Sequence, residues 1–403
     1  MNKKIRSLLI TSLMVLASGC SFENMNNNSI SSSSNPANSI PLEESSKESV
    51  SVKEDSESST SDKEESSSSI EPSKEYRTTN YTNPLFAEEE FADPSIIYCE
   101  SDNNYYLLAT GGKILQSNDM VNWKKRTKAF PSTPSWGTNG AGLWAPDIQY
   151  INGQYVMYYS LSTWGDPNPG IGVATAKNPK GPWVDQGKLF RSQEIGVNNS
   201  IDPMAFVDHD GRVYLVWGSM RGNYIVELEE DGLSLKGGIE EANKNKIRIA
   251  GLDTSYQWEV ETYEGAYIIY ENGYYYLFLS MGTCCEGLNS TYKVVVGRSR
   301  SVTGPYLDHN LKDMKNKSAG KVVIDKGSYF VGSGHNSLIK DQKGNYFTYY
   351  HTYSSDNTKY RVLAMDAVYF DEEGWPCVEN SKASTTEKAG PTTYQYIIEE
   401  GGK

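Results

Sequence analysis

Hydrophobic and polar positions follow one pattern that recurs five times between residues 94 and 351. In each copy a short apolar run leads into a polar turn, and a second run rich in Tyr and aliphatic residues follows. The second runs, quoted with their turns, are "DNNYYLLAT" from 102, "NGQYVMYYS" from 152, "DGRVYLVWGS" from 210, "NGYYYLFLS" from 272 and "KGNYFTYYH" from 343. Because Asn, Asp and Gly tolerate positive φ at such turns, each copy predicts a β-hairpin.

Five such hairpins predict an all-β fold, a five-bladed β-propeller in which the sheets surround a central channel. Successive turns are separated by 50 residues (102 to 152) to 71 residues (272 to 343). A minimal blade needs only about 40–50 residues, so we expect insertions. A β-sandwich is the alternative, but it does not account for a fivefold repeat. The 29 Tyr and 35 Gly also favour an all-β chain with many turns.

Residues 1–20 have the features of an export signal. Three cationic residues precede an apolar stretch, Leu8 to Ala17, that is too short to remain in a membrane as a spanning helix. The following "LASGC" resembles a bacterial lipobox, in which the cysteine, here Cys20, becomes the lipidated first residue. We therefore expect a lipid anchor at the extracellular face of a bacterial membrane. An ordinary secretory signal with an incidental cysteine is the alternative.

The segment 21–80 is rich in Ser, Asn and Glu and has few aromatic residues, so it predicts a disordered tether. The folded domain is then 81–403. The net charge of −13 divides into +3 for residues 1–20, −7 for 21–80 and −9 for 81–403. A mildly acidic domain argues against a nucleic-acid partner and suits a neutral solute.

Chemically active side chains recur at one position of the repeat. Nine residues before the turn glycine stand Trp144, Asp202, Glu264 and His335 in the second to fifth copies, and Asp93 has a similar place in the first. The innermost strand of every propeller blade begins at the same end of the channel. We therefore expect these side chains to meet in one ring.

Three carboxylates in one ring indicate glycoside hydrolysis. This reaction needs one protonated carboxyl group to assist the leaving oxygen and one ionised carboxylate to take a proton from water. A third carboxylate raises the pKa of the acid by repulsion. Asp93-Pro94 and Asp202-Pro203 could equally be turn-forming dipeptides at strand entries, but their recurrence beside Glu264 favours catalysis.

The motifs around these residues resemble family 43 of the glycoside hydrolases. They are "FADPSII", "GLWAPDI", "NNSIDPMAF", "YEGAYII" and "GSGHNSLI", and the resemblance covers about residues 83–380. It implies a five-bladed propeller that cleaves arabinan or related pentose polymers with inversion. It further implies that Asp93 is the general base, that Asp202 tunes the pKa of the acid and that Glu264 is the general acid.

Within the family, "CCEGLNSTYKVVVGRS" (284–299), "WAPDI" and "EEGWP" are most similar to endo-1,5-α-L-arabinanases. Arabinanases often carry His directly before the first Asp, where this chain has Ala92. The resemblance implies arabinan as the polymer partner, no organic cofactor and a monomer. The alternatives are an exo-acting arabinofuranosidase or β-xylosidase on the same fold, and a non-catalytic glycan-binding lipoprotein.

Further residues are candidates around this site, and among them only His335 is assigned by the resemblance. His335 in "GSGHNS" stands where the family's axial histidine meets a central ion, commonly calcium, although calcium prefers oxygen ligands. Trp144 is expected to stack on a sugar, and Asn199 and Ser219 to bind arabinose hydroxyl groups. Trp164 stands in a Gly/Pro-rich insertion that forms either a cleft wall or a loop anchor.

The exported context permits disulfides among four cysteines. Cys284 and Cys285 are adjacent and form either a ring disulfide at the cleft or two buried thiols. Cys99 and Cys377 lie near the two ends of the predicted propeller. Because a propeller joins its ends, we expect that these two can form a bridge.

Overall fold

In a computed structural model of the protein, residues 74–253, 255 and 261–396 are described. The predicted signal with Cys20 and most of the predicted linker lie outside these residues. Strand β1 (Lys74–Thr78) pairs with the last strand, β22 (Thr392–Tyr396), in a two-stranded antiparallel sheet. Regular structure therefore starts before the predicted boundary at residue 81.

The remaining strands form five four-stranded antiparallel sheets in simple chain order. The first sheet contains β2 (Ser95–Cys99), β3 (Asn104–Ala109), β4 (Lys113–Ser117) and β5 (Lys124–Lys125). The second contains β6 (Gly142–Ile151), β7 (Gln154–Ser162), β8 (Gly170–Ala176) and β9 (Val184–Arg191). The third contains β10 (Met204–Val207), β11 (Val213–Trp217), β12 (Asn223–Glu227) and β13 (Ile247–Ala250).

The fourth sheet contains β14 (Glu264–Glu271), β15 (Tyr274–Met281), β16 (Lys293–Ser299) and β17 (Lys321–Ile324). The fifth contains β18 (Phe330–Lys340), β19 (Tyr346–Ser354), β20 (Asn357–Phe370) and β21 (Pro376–Cys377). Short helices stand between strands: α1 (Ser192–Ile195), α2 (Gly238–Asn245) and three 3₁₀ turns at Glu100–Asp102, Gly287–Asn289 and Glu379–Ser381. No helix within the described ranges has the length and apolar character needed to cross a membrane.

The first strands of the five sheets form a closed ring. Strand β2 contacts β6, which contacts β10, and the series continues through β14 and β18 back to β2. The predicted five-bladed propeller is therefore confirmed. The five predicted hairpins are also confirmed, and each supplies the two inner strands of a blade: β2–β3, β6–β7, β10–β11, β14–β15 and β18–β19.

Buried side chains fill the five interfaces between neighbouring blades. The interface of the second and third blades, for example, contains Phe190 packed against Trp217, with ring centroids 5.1 Å apart. Equivalent clusters lie at the other four interfaces, and the one between the fifth and first blades joins Tyr349 to Leu107. Both faces of each sheet are thus covered, which explains why the second strands are almost continuously apolar rather than alternating.

The structure decides between the two interpretations of the adjacent cysteines and contradicts the predicted long-range bridge. Cys284 and Cys285 form a disulfide in the loop between β15 and β16. The thiols of Cys99 and Cys377 are free. Cys99 ends the innermost strand of the first blade and lies in the core shared with the second blade, whereas Cys377 is on the outermost strand of the fifth. The ends are joined instead by the pairing of β1 with β22.

Candidate active site

Each blade has a residue of positive φ at the same end of the channel, either shortly before its innermost strand or within it. These residues are Asp93 (58°), Ala145 (39°), Asp202 (58°), Gly265 (58°) and His335 (52°). Backbone in this region is strained for residues other than Gly. Its recurrence in all five blades shows that the backbone takes the same conformation at this position of every blade.

Glu264 was predicted at the same position of the repeat as Asp202 and His335. In the structure Gly265 holds that position, and Glu264 lies one residue before it. It is the last paired residue before a break in register between Glu264 and Tyr267, and Trp144 has the same place before the break in the second blade. Counting nine residues back from the turn therefore aligned Glu264 with Asp202 wrongly, because the turns differ in length. The side chain of Glu264 nevertheless reaches the ring, since its charge acts on Asp202.

A hydrogen bond between neighbouring blades holds four of these strained residues. In each case a side chain in the second half of one blade's second strand, or directly after that strand, accepts the backbone N–H of the next blade. The pairs are Thr110 with Ala145 (2.9 Å), Ser160 with Asp202 (2.9 Å), Ser280 with His335 (2.7 Å) and His351 with Asp93 (3.2 Å). The second strands thus position the ring.

These acceptors were not predicted, although the sequence carries a signal for them. Four of the five quoted runs end in Thr110, Ser160, Ser280 or His351. The remaining run, the third, ends in Ser219, whose hydroxyl donates to Glu264 Oε2 at 2.6 Å. A recurrent Ser or Thr at one place of the repeat thus marked the contacts between blades.

Asp93 lies among cationic groups. Its Oδ1 is 3.3 Å from His335 Nδ1 and 3.7 Å from Arg361 Nη1, and its Oδ2 accepts a hydrogen bond from Thr110. Burial favours the neutral acid, but the charges of His335 and Arg361 prevail and hold the pKa of Asp93 well below its usual range. Asp93 is therefore ionised at neutral pH. Arg361, on β20, was not predicted from the sequence.

Asp202 has the opposite environment. It is buried, and its carboxylate accepts the N–H of Gly265. Burial and repulsion from Glu264 and Asp93 raise the pKa of Asp202 well above its usual range. Asp202 therefore keeps its proton to higher pH than a solvated aspartic acid does.

Both oxygens of Glu264 are held by hydroxyl groups. Besides the bond from Ser219, Glu264 Oε1 accepts a hydrogen bond of 2.7 Å from the hydroxyl of Tyr292, which precedes β16. Burial and the nearby charge of Glu264 raise the pKa of Tyr292 well above its usual range, so its hydroxyl keeps its proton. Tyr292 lies in the segment 284–299 that resembles arabinanases, but no role was predicted for it.

The predicted sugar-binding residues lie at this end of the channel. Trp144 is partly buried and tilted against Trp164, with ring centroids 5.7 Å apart, and Trp164 is 77% exposed. Asn199 donates to the carbonyl of Ser219 at 3.2 Å. Since the Ser219 side chain is fully buried and bonded to Glu264, it supports that carboxylate instead of facing solvent.

The predicted calcium site at His335 does not match the described residues. Nδ1 of His335 faces Asp93, and no cluster of three or more His, Cys, Asp or Glu side chains suited to a metal occurs in the described part of the chain. A single imidazole nitrogen does not supply the oxygen ligands that calcium prefers. The residues present thus do not form a protein cage for calcium, and the ion stays a prediction.

A cavity of about 790 Å³ opens at the other end of the channel, between the second and third blades. Its lining includes Asn152 and Gly211, which lie in the turns at the far ends of β6 and β10, together with Tyr150 and Glu227. It is separate from the three carboxylates.

Comparison with known proteins gives relatives along most of the folded part. The family model described as "Glycosyl hydrolases family 43" matches residues 81–376. An extracellular endo-α-(1→5)-L-arabinanase of Bacillus subtilis is 33% identical over 72% of this chain and 88% of its own length. An extracellular exo-α-(1→5)-L-arabinofuranosidase of Cellvibrio japonicus is 34% identical over 70% of this chain and 84% of its own length.

Solved structures agree in fold. An α-L-arabinanase of Cellvibrio cellulosa in complex with arabinohexaose has a TM-score of 0.65 and 32% identity, covering 72% of this chain and 96% of its own. An exo-1,5-α-L-arabinanase from a bovine ruminal metagenomic library has a TM-score of 0.63 and 35% identity, covering 72% and 97%. Together with the fold and the carboxylate ring, the matches show that this chain belongs to family 43 of the glycosyl hydrolases.

Proposed function

We propose that the protein is an endo-acting hydrolase of α-1,5-linked L-arabinan that works with inversion. The observation that carries the proposal is the ring of Asp93, Asp202 and Glu264 at one mouth of the channel, in which the pKa of Asp93 is held low and the pKa of Asp202 is raised. Relatives named as arabinanases, one of them in complex with arabinohexaose, support arabinan as the substrate.

In the proposed reaction Asp93 is the general base and Glu264 the general acid. Asp93 takes a proton from a water molecule as the water oxygen bonds to the anomeric carbon. The bond from that carbon to the glycosidic oxygen breaks, and this oxygen receives the proton of Glu264. A single displacement of this kind inverts the configuration at the anomeric carbon. In this proposal Asp202 tunes the acid Glu264 through the repulsion between their carboxyl groups.

Side chains around the ring orient these groups. Ser219 and Tyr292 fix the two oxygens of Glu264, and Arg361 keeps Asp93 charged. Trp144 offers an aromatic face to a sugar ring at the channel mouth, and the exposed Trp164 extends this surface outward. Aromatic faces suit the apolar faces of sugars.

Exo action on the same polymer is the second candidate. Two observations favour it: the relative from Cellvibrio japonicus and the ruminal structure both carry exo names at 34% and 35% identity. The two modes differ only in whether the cleft is open at both ends, so the products distinguish them.

The test is product analysis by chromatography after incubation of the protein with linear arabinan, with Glu264→Gln in parallel. We expect mixed oligosaccharides at early times and none from the variant. Arabinose or one short oligosaccharide alone would establish exo action. Absence of product from the active-site-intact protein, together with retained binding of arabinan, would replace the hydrolase proposal by a glycan-binding one.

We further propose that the protein acts outside the cell and is anchored by lipid at Cys20. The proposal is supported by the "LASGC" sequence and by relatives that are named extracellular. Cys20→Ser is expected to move the protein from the membrane fraction to the soluble fraction on cell fractionation. An unchanged membrane fraction would contradict lipidation at this residue.

A further inference from the structure

We propose that His351 is a positioning residue that holds the base Asp93 with one ring nitrogen and supports the acid Glu264 through the face of its ring. The inference rests on the proposed function, because it assigns His351 to the same reaction. His351 lies in the middle of β19 and is fully buried. It therefore acts through its neighbours rather than on substrate.

His351 Nδ1 contacts Asp93 at two atoms. It lies 3.2 Å from the backbone nitrogen of Asp93, whose N–H points at it, and 3.2 Å from Asp93 Oδ1. The imidazole thus holds both the backbone and the carboxylate of the base. Full burial lowers the pKa of His351 to about 4, which favours a neutral ring. The hydrogen bond holds Asp93 at its strained φ of 58°.

The contact with the acid side runs through Tyr292. The rings of His351 and Tyr292 stack at 5.6 Å with an angle of 11° between their planes. On the neighbouring strand β18, Gly334 leaves room for the tyrosine, since a Cβ there would stand 2.2 Å from Tyr292 Cδ1. Tyr292 is thus packed against Gly334 and His351 while its hydroxyl reaches Glu264 Oε1.

The histidine at this position destabilises the fold relative to a serine, which indicates that it has a specific role. The equivalent positions of the other blades hold Thr110, Ser160, Ser219 and Ser280, and three of these bind the next blade's N–H with a hydroxyl. In His351, by contrast, Nε2 is buried and has no hydrogen-bond partner among the described residues. A buried polar atom without a hydrogen-bond partner is destabilising. Serine would avoid the penalty, but it has no ring face for Tyr292.

Two variants separate the two contacts. His351→Phe keeps a ring to stack on Tyr292 but removes the acceptor for Asp93. His351→Asn keeps an acceptor near the Nδ1 position but removes the ring. The readout is kcat on linear arabinan and on an aryl α-1,5-arabinotrioside whose phenol leaves without a proton. Loss of base function lowers both rates, whereas loss of acid function lowers mainly the rate on arabinan.

We expect His351→Phe to lower kcat on both substrates by about 10²-fold. His351→Asn is expected to lower kcat on arabinan by about tenfold while changing the aryl rate less than twofold, as is Tyr292→Phe. Met365→Ala is the control for lost stability, since Met365 is buried in the core between the fifth and first blades. It should lower Tm and leave the ratio of the two rates unchanged.

The inference would be overturned if both His351 variants changed the ratio of the arabinan rate to the aryl rate by the same factor. It would also be overturned if both variants kept the ratio of the unaltered protein. Long-range ¹H–¹⁵N spectra of the full protein supply a readout that needs no activity: the Nδ1 resonance of His351 should shift in Asp93→Asn and keep its position in Glu271→Gln. An Nδ1 resonance that Asp93→Asn leaves unchanged would also overturn the inference. If the unaltered protein cleaves neither substrate, the proposed function fails, and the spectra still test the contact with Asp93.

Discussion

Replacing Asp93 with asparagine is expected to lower kcat on arabinan by about 10²–10⁴-fold, or about 3–5 kcal/mol in the activation barrier. Asparagine fills the same space and can still accept the Thr110 hydrogen bond, but it cannot take a proton from water. The loss should be equally large on an aryl arabinotrioside, because water attacks in both reactions. Steady-state kinetics on the two substrates checks this.

The pH dependence gives a second readout on Asp93. A base works when ionised, and the charges of His335 and Arg361 keep the pKa of Asp93 well below its usual range. Activity limited by this group should therefore persist as pH falls through the ordinary carboxyl range and disappear only near the lowered pKa. By linkage, Asp93 stabilises the fold above the pKa of the unfolded chain, and this stability is lost as pH falls through the folded value.

Asp147→Asn is the matched control for Asp93→Asn. Asp147 is a buried aspartate on the innermost strand β6, and its oxygens accept hydrogen bonds from Ser95 and from the N–H of Ala205, which joins three blades. The control should lower thermal stability without lowering kcat of the folded fraction. If Asp93→Asn retained more than a tenth of the activity, Asp93 would not be the base.

The fold was predictable because the propeller repeats its most informative segment. One hairpin is weak evidence, but five with Tyr-rich second runs left a sandwich without support. The bridge between Cys99 and Cys377 was wrong for a related reason. A closed ring brings the two ends of the chain close together. The direction in which the Cys99 side chain points depends on packing, however, and Cys99 faces the second blade.

The part of the site that could be predicted from the sequence is the set of residues at or next to one position of the repeat. Asp93 and Asp202 share that position, and Glu264 was found although the count was wrong by one residue. The roles of Tyr292 and His351 could not be predicted from their places in the sequence, because both roles arise from contacts between strands and loops that are far apart along the chain. The bond from Asp93 to His351, for example, joins residues 258 positions apart. Only the three-dimensional arrangement shows that Asp93, directly, and Glu264, through Tyr292, are both held by His351 of the fifth blade.

Replacing Glu264 with glutamine is expected to lower kcat on arabinan by about 10²–10⁴-fold while the aryl arabinotrioside loses far less. The sugar hydroxyl that leaves from arabinan needs a proton, and a glutamine amide does not supply one, whereas a nitrophenol leaves as the anion. Glutamine can still accept from Tyr292 or Ser219, so the ring should remain assembled. The comparison of the two rates, with Tm as a check on folding, is the measurement.

Glu271→Gln is the control within the same strand. Glu271 lies at the far end of β14 and pairs with Lys340 at 2.8 Å, away from the channel mouth. Its loss should leave both rates within about twofold, because an exposed ion pair contributes little. A Glu264→Gln variant that lost both rates equally would show that Glu264 binds or places the sugar. A split between the rates requires that it donates the proton, since only that step depends on the leaving group.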